Sequence, residues 1–570
     1  MKENYFKLFK EFGLIVFSFP FHSLIFVAGI LVSSVTQMLS LGTLYPIVMY
    51  VIQKNSEENK FLSFFRSFLE ILHLDFNLLN LLILFIALSI ISNSVFILIQ
   101  VQQAFFIRNL EVRRRSILIN NVINSSWLSL VNLDQGRFLN SSIREVERYR
   151  DLIKILFLIL ANSIQIGMYL GYAIWLAPKL VFISLLVLCF NFLIFFPILK
   201  LFFKLSERWT VLMNKANNMI IEIQRGLKFI KSNSHEEHVL ISVFQLIRDL
   251  ARTHFKAHLL GVLQNRLTEV MAFSVFSIIL YFSSEVLKIE LALLVMILAL
   301  FYKIIPDIKA TLDYAHSSTS LLPASAELNF FNEEYKPEEI KKEKFTLEKI
   351  DIISLESVAF KYGDKSVLAD FSVNFKKGDF WAITGSSGVG KSTLLDLISG
   401  IIKPNTGKIF YNEIIFEELN QWQIHNRIGY MTQDPYIVDG SILENICWGA
   451  KNMTEETLAK SVKIAQLDFY DEKETANSNL SPGGANLSGG QKQRISIARI
   501  FARDYDFILL DEPTSALDND TESNFIREIS ELKGKVGIIM VTHRKEFLKI
   551  ADNLIVFSDV GEISITKNKK

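Results

Sequence analysis

Apolar residues gather in six long runs before about residue 306 and in much shorter ones after it. The long runs lie around 12–52, 78–107, 152–176, 180–203, 262–284 and 290–306. Each is near or above the ~20 residues an α-helix needs to cross a hydrocarbon core. The first is long for one crossing, and the last is short unless its helix continues past Pro306. Buried core helices are the alternative, but polar connections of alternating long and short length favour membrane helices. No small-residue cleavage site closely follows the first apolar core, so that run reads as a retained membrane helix and not as a signal peptide.

The connections differ in charge. Stretch 104–154 holds Arg108, Arg113, Arg114, Arg115, Arg137, Arg144, Arg148, Arg150 and Lys154, and stretch 200–258 is similarly basic. The connection 53–77 is slightly acidic, and those near 177–179 and 284–290 are very short. An excess of Lys and Arg marks the cytoplasmic side, which places both long stretches, both termini and the C-terminal part there. Inside the long stretches apolar residues recur at helical spacing, as between Ile143 and Ile153. This predicts helices that extend well beyond the membrane, in place of disorder.

A charged, proline-containing stretch from Asn332 to Lys344 marks a linker. The expected organisation is therefore a membrane domain over 1–330, a linker over 331–350 and a second domain over 351–570. In that second domain the run Phe380–Thr384 reads as a strand, and Thr393–Ile398 opens a helix. Between them stand Gly385, Ser386, Ser387, Gly388, Val389, Gly390, Lys391 and Ser392. A glycine-rich loop from strand to helix lets successive backbone N–H groups curl around phosphates, aided by the positive helix end. Lys391 can then reach the β/γ-phosphates, and the Ser392 hydroxyl can ligate Mg²⁺.

Two further runs end in chemistry. Phe507–Leu510 delivers Asp511 and Glu512, as the end of a buried parallel strand would. Asp511 suits Mg²⁺ through its water shell, and Glu512 suits a general base polarising the attacking water. The acidic pair also fits a helix N-terminus, and both readings can hold at once. Val536–Val541 ends at Thr542 and His543. Alone, a histidine after a strand is more often structural; beside the other motifs it fits a γ-phosphate contact.

Composition removes several classes. The net charge of +1 over 570 residues gives no global basic field, so no nucleic-acid partner is expected. Two cysteines, Cys189 and Cys447, make neither a disulfide framework nor a zinc site.

Leu487-Ser-Gly-Gly-Gln491, continued to Arg499, matches a family signature letter for letter. With the phosphate loop and the Asp511–Glu512 pair it identifies the chain as a member of the ABC transporter family, and the likeness spans nearly the full length. The resemblance implies a multidomain membrane protein: an all-α, six-helix transmembrane domain of exporter type, then an α/β P-loop nucleotide-binding domain. It implies that Tyr362 stacks on adenine and that Gln433 senses Mg²⁺ and the attacking water. It also implies that Asp518 crosses a dimer interface and that His543 is the switch histidine. Ser488, Gly489, Gly490 and Gln491 precede or open a helix and so form a second anion site. Family likeness has this site close over ATP on a partner domain. One phosphate loop and one signature per chain then imply a homodimer, or a heterodimer with a related half-transporter. The membrane half is similar to that of six-helix exporters. A coupling helix is expected near Trp127–Val131 in the first cytoplasmic loop, and segment 222–238 looks like the second loop. Where exporters often carry an acidic residue before the signature, this chain has Pro482.

Fusion of a membrane domain to an ATPase points to export or flipping. The first apolar run begins near residue 12, so an N-terminal protease domain like that of some peptide exporters is not expected. Arg266 and Glu269, near the start of the fifth run, face a cavity or pair with each other near the inner surface. Lys303 either snorkels to the cytoplasmic surface or meets an anionic headgroup or pyrophosphate. Gln100, Gln165 and Asn191 line a cavity or hydrogen-bond between helices. The stretches Leu298–Pro306 and Leu41–Pro46 are similar to those of lipid-linked oligosaccharide flippases, which favours a lipid or lipid-linked saccharide cargo over drugs and peptides. An ATPase that gates or senses without pumping is the competing class. The expected location is a plasma or bacterial inner membrane.

Overall fold

The computed structural model describes residues 12–13, 16–52, 60–282, 285, 287, 289–338, 345–450, 453–470, 479–558 and 563–568. It forms two compact units, Met1–Asn121 with Asp134–Glu334, and Val122–Leu133 with Tyr335–Lys570.

The first unit is helical. Its long helices are Pro20–Gly42 continued by Leu44–Val51, then Leu78–Ile123, Val146–Leu176, Pro178–Ser232, Glu236–Tyr281 and Leu291–Glu334. Pro178–Ser232 has 55 residues. At ~1.5 Å per residue that is roughly 80 Å, far more than the ~30 Å hydrocarbon core. The helical spacing read in the basic stretches thus corresponds to helices that outrun a bilayer. The last helix carries Pro306 and Pro323 in its interior and runs to Glu334. This gives the run at 290–306 the length it lacked. Among the described residues, four helices are long and apolar enough to cross a membrane: Pro20–Val51, Leu78–Ile123, Gln135–Leu176 and Leu291–Ala315. The runs at 180–203 and 262–284 fall on Pro178–Ser232 and Glu236–Tyr281, where part of the side chains lies outside the described residues.

Small polar residues bring the first two membrane helices together. Ser33 Oγ donates to the Ser92 carbonyl at 3.1 Å, and Ser92 Oγ returns a bond to the Ser33 carbonyl at 2.9 Å. Ser40 Oγ donates to the Phe85 carbonyl one step further along. Such residues let helix backbones approach where lipid offers no hydrophobic drive.

The loops differ in part from expectation. Trp127–Leu130 is a short helix, at the place where a coupling helix was expected. In the second loop Gly226 to Lys231 continues the long helix, and the reversal is a tight turn at 233–235 with Ser234 at φ 54°. Arg266 Nη1 pairs with Glu269 Oε1 at 2.8 Å, the local i,i+3 ion pair. Arg137 grips Glu327 through two bonds of 2.6 and 2.9 Å and stacks 4.0 Å above the Phe330 ring.

The second unit is α/β. Strands β1 (Ile352–Tyr362), β2 (Lys365–Lys376), β4 (Thr406–Tyr411) and β5 (Ile414–Ile415) form an antiparallel sheet in the order β2-β1-β4-β5. Strands β3 (Phe380–Gly385), β6 (Ile428–Met431), β7 (Phe507–Asp511), β8 (Gly537–Val541), β9 (Asn553–Phe557) and β10 (Ile563–Lys567) form the other. Its order is β10-β9-β3-β8-β7-β6, parallel except for the edge strand β10. The central strands are mainly apolar because both faces are covered. Trp381, Ile383, Leu509 and Ile539 enter one core, while Phe380, Ala382, Leu510 and Ile538 enter the other. Strands β3, β7 and β8 lie side by side and parallel, so their C-terminal ends open on one edge. Ligands of open parallel sheets bind at such an edge.

Candidate functional site

The glycine-rich loop leaves β3 at Gly385 and enters the helix Lys391–Ser399. Gly385 has φ +150°, and a Cβ there would stand 2.6 Å from the Phe557 carbonyl oxygen. Only glycine lets the loop leave the sheet at that point. A Cβ at Gly388 would meet nothing within 4 Å, so the loop crest is open to a ligand. Lys391 is buried, and its Nζ donates to the carbonyls of Gly385 and Ser386 at 2.7 and 2.8 Å. The ammonium thus bridges the loop from within. These groups fit a phosphate: exposed loop backbone, a helix N-terminus and a fixed cation.

Ser392 hydrogen-bonds Asp511 at the end of β7. Burial pushes the Asp511 carboxyl above the usual carboxylate range; its bond from Ser392 and the nearby Lys391 oppose this, and Glu512 reinforces it. A hydroxyl and a carboxylate side by side form an oxygen donor set suited to Mg²⁺.

Glu512 is the next residue, in the left-handed region at φ +48°. Its N–H donates to the Val541 carbonyl at 3.1 Å, which ties β7 to the end of β8. Gln433 Nε2 donates to Glu512 Oε2 at 3.3 Å, and His543 Nε2 stands 3.6 Å from Oε1. Gln433, Glu512 and His543 come from three segments and meet at one carboxylate. Tyr362 closes β1, packs edge-to-face on Phe360 at 4.9 Å and reaches Thr393 on the phosphate-loop helix. Burial raises its phenol above the usual range.

The signature residues form a helix start. Ser488 caps the helix Gly489–Phe501: its Oγ accepts from Gln491 N–H at 3.2 Å, and Gln491 Oε1 accepts from Ser488 N–H at 2.9 Å. Gly490 packs on Ala516, where a Cβ would come 2.7 Å from the carbonyl oxygen. Asp518 caps the helix Asn519–Leu532 by accepting from Thr521 N–H and Oγ1. The signature and Asp518 thus share one neighbourhood, joined through the turn at 515–518.

Sequence reading missed the supports. Glu522 accepts from Thr514 Oγ1 at 2.9 Å and forms an ion pair with Arg544, whose Nε lies 3.3 Å away, so it braces the residue next to His543. Tyr430 OH donates to Asp396 Oδ1 at 3.0 Å, joining the strand before Gln433 to the phosphate-loop helix. Asn445, fully buried, takes Arg499 Nη2 at 2.9 Å and bonds both the N–H and the carbonyl of Val438. A polar residue inside an apolar helical pattern, as at Asp396 between Leu395 and Leu397, was the available signal.

The profile of the ABC transporter family matches residues 368–515. A probable ABC transporter ATP-binding/permease protein of Haemophilus influenzae is 31% identical over 61% of this chain and 64% of its own length. The lactococcin-G-processing and transport ATP-binding protein of Lactococcus lactis is 28% identical over 72% and 60% respectively. The ATP-dependent lipid A-core flippase of Desulfotalea psychrophila is 27% identical over 75% and 76%. The chain thus spans less than two thirds of the length of the first two relatives. A solved bacterial Atm1-family ABC exporter with ATP bound superposes with a TM-score of 0.72 at 18% identity, covering 94% of this chain and 93% of that one. The fold is therefore that of an ABC exporter, residues 368–515 match the ABC transporter family, and helices long and apolar enough to cross a membrane precede them in the same polypeptide.

Proposed function

We propose that this chain is one half of a dimeric, ATP-driven exporter or flippase whose cargo is amphipathic, a lipid or lipid-linked saccharide. One observation carries the ATPase part: the Glu512 carboxylate stands between Gln433 and His543, next to the Asp511–Ser392 pair. In this reading the loop from Gly385 to Gly390 cradles the phosphates of ATP, Lys391 turns its ammonium to them, and Tyr362 holds the adenine. Ser392, Gln433 and Asp511 would hold Mg²⁺, which offsets phosphate charge when bound. Glu512 takes the proton of the attacking water, and His543 contacts the transferring phosphoryl group.

Ser488, Gly489, Gly490 and Gln491 meet the nucleotide of a second chain, and Asp518 lies at that junction. The partner is a second copy or a related half-transporter. Two bound ATP close the pair, and hydrolysis reopens it. Lys- and Arg-rich connections support a cytoplasmic position for the nucleotide domain and both termini.

The cargo assignment draws on Lys303, a partly buried cation on a membrane helix, and on the alignment with a lipid A-core flippase over 76% of that protein. Peptide export is the second reading, favoured by the lactococcin relative. The test is ATP turnover by purified chain in vesicles, wild type against Glu512→Gln, with and without a lipid-linked oligosaccharide. Glu512-dependent turnover stimulated by that lipid supports the proposal. Turnover that ignores it but rises with a cationic peptide moves the cargo to peptides, and turnover surviving Glu512→Gln removes the assignment of the base.

A further inference from the structure

The helix Gly489–Phe501 carries a second glutamine, Gln493, on its buried face; it is only 2% exposed. Both donors and the acceptor oxygen of its amide are engaged. Nε2 donates to the Glu512 backbone carbonyl at 3.0 Å and to Ser515 Oγ at 3.1 Å, and Oε1 accepts from Ala516 N–H at 2.9 Å. One side chain thus fastens this helix to the turn that runs from Glu512 to Asp518. The turn is not relaxed, because Glu512 adopts φ +48°, where a Cβ crowds the backbone. Apart from Gln493, the Glu512 carbonyl accepts only a long bond of 3.3 Å from Ser515 N–H among the described residues.

We infer that Gln493 is a positioning residue for hydrolysis, holding the left-handed backbone at Glu512 and making its carboxylate follow the helix end at Ser488–Gly490. This rests on the ATPase reading above. A side chain present only to fill space would need no donor and acceptor facing the same turn. Gln493 presents both, and the backbone atom it holds belongs to the residue whose carboxylate meets Gln433 and His543. A nucleotide phosphate steadying the helix end at Ser488 therefore also steadies Glu512 of the same chain. Because the signature serves the partner's nucleotide in this reading, each Glu512 responds to the nucleotide across the junction. Misplacing a reacting group by about 1 Å can cost roughly a hundredfold in rate, so a single lost tether is measurable.

The experiment compares ATP turnover of the reconstituted full chain for wild type, Gln493→Met, Gln493→Glu, Ser488→Ala and the Gln493→Met/Ser488→Ala pair. ATP affinity without Mg²⁺ and the melting temperature are measured alongside. Methionine keeps the length and loses the amide; glutamate keeps an acceptor for Ala516 N–H but has no donor for the Glu512 carbonyl. Both variants are expected to lose about tenfold or more in kcat with ATP affinity within twofold of wild type. Ser488→Ala is expected to cost less in the methionine background than alone, since the link it acts through is already cut. Wild-type kcat in Gln493→Met overturns the inference. So do losses that track ATP affinity or melting temperature in both variants, and so does strict multiplicativity with Ser488→Ala. A wild type without ATP turnover overturns the ATPase reading itself and this inference with it, an outcome the wild-type control alone identifies.

Discussion

Gln433 Nε2 lies 3.3 Å from Glu512 Oε2, although 79 residues separate them in the chain. His543 approaches the other oxygen of the same carboxylate at 3.6 Å. A base held from both sides keeps its aim with little reorganisation. Replacing Gln433 by Ala or His543 by Ala is expected to lower kcat by about 10- to 100-fold. The double variant should fall short of the product of the two, because both act on one group. Steady-state turnover with ATP saturating checks this; fully multiplicative losses would mean that the two residues do not act through one shared carboxylate.

Asp396 makes a pH-dependent prediction. Burial pushes its carboxyl up to about 6, against the hydrogen bond from Tyr430, and nearby Asp511 adds to the rise. The folded protein therefore keeps this proton at pH values where the unfolded chain, with an ordinary carboxyl near ~3.9, has lost it. More protons bound in the folded state means that this residue's contribution to stability falls as pH rises from about 4 to about 6, then levels off. Asp396→Asn removes the charge and keeps an acceptor for Tyr430. Its melting temperature relative to wild type should be unchanged near pH 4 and higher above pH 6. A constant difference across that range would show that Asp396 titrates normally.

Much of the nucleotide site is legible in sequence because its parts are local. The phosphate loop is one continuous segment, and Asp511 and Glu512 end a strand whose apolar run announces it. The signature reads as a helix start because Ser488 and Gln491 stand three apart, the spacing of a reciprocal cap. The supports are not legible, since each depends on a partner fixed only by the fold: Asp396 with Tyr430 at 34 residues, Asn445 with Arg499 at 54. The membrane half shows the same division. Helical spacing through the basic stretches gave long helices, while the reversal at 233–235 carries no proline or glycine to mark it.

Gly385 is limited twice over. Its φ of +150° suits glycine, and an added Cβ would press on the Phe557 backbone carbonyl and Cβ at 2.6 and 2.7 Å. Backbone cannot swing aside as a flexible side chain can, so β3 and β9 would have to part at their C-terminal ends. Gly385→Ala is expected to cost about 2–4 kcal/mol and to weaken ATP binding at least tenfold. Thermal melting with and without ATP measures both. A variant that melts like wild type but fails to bind would place the effect in the loop alone.

Asn445 holds the segment that follows Gln433. It is fully buried, and its side chain accepts from Val438 N–H at 2.8 Å and Arg499 Nη2 at 2.9 Å while donating to the carbonyls of Val438 and Ser441. Arg499 also donates from Nε to the Asn445 carbonyl at 2.8 Å and from Nη1 to the Tyr436 carbonyl at 2.7 Å. Asn445→Ala strands several buried polar groups at about 1–3 kcal/mol each, less whatever water recovers, for a melting temperature lower by about 5–10 °C. Asn445→Asp keeps both acceptor bonds and gains charge opposite Arg499, but gives up both donated bonds. It should be the milder change if the guanidinium anchors this segment. If Asn445→Asp is instead the more damaging, the two donated bonds to the chain between Val438 and Ser441 set the position of the loop, and Arg499 only fills the space behind it.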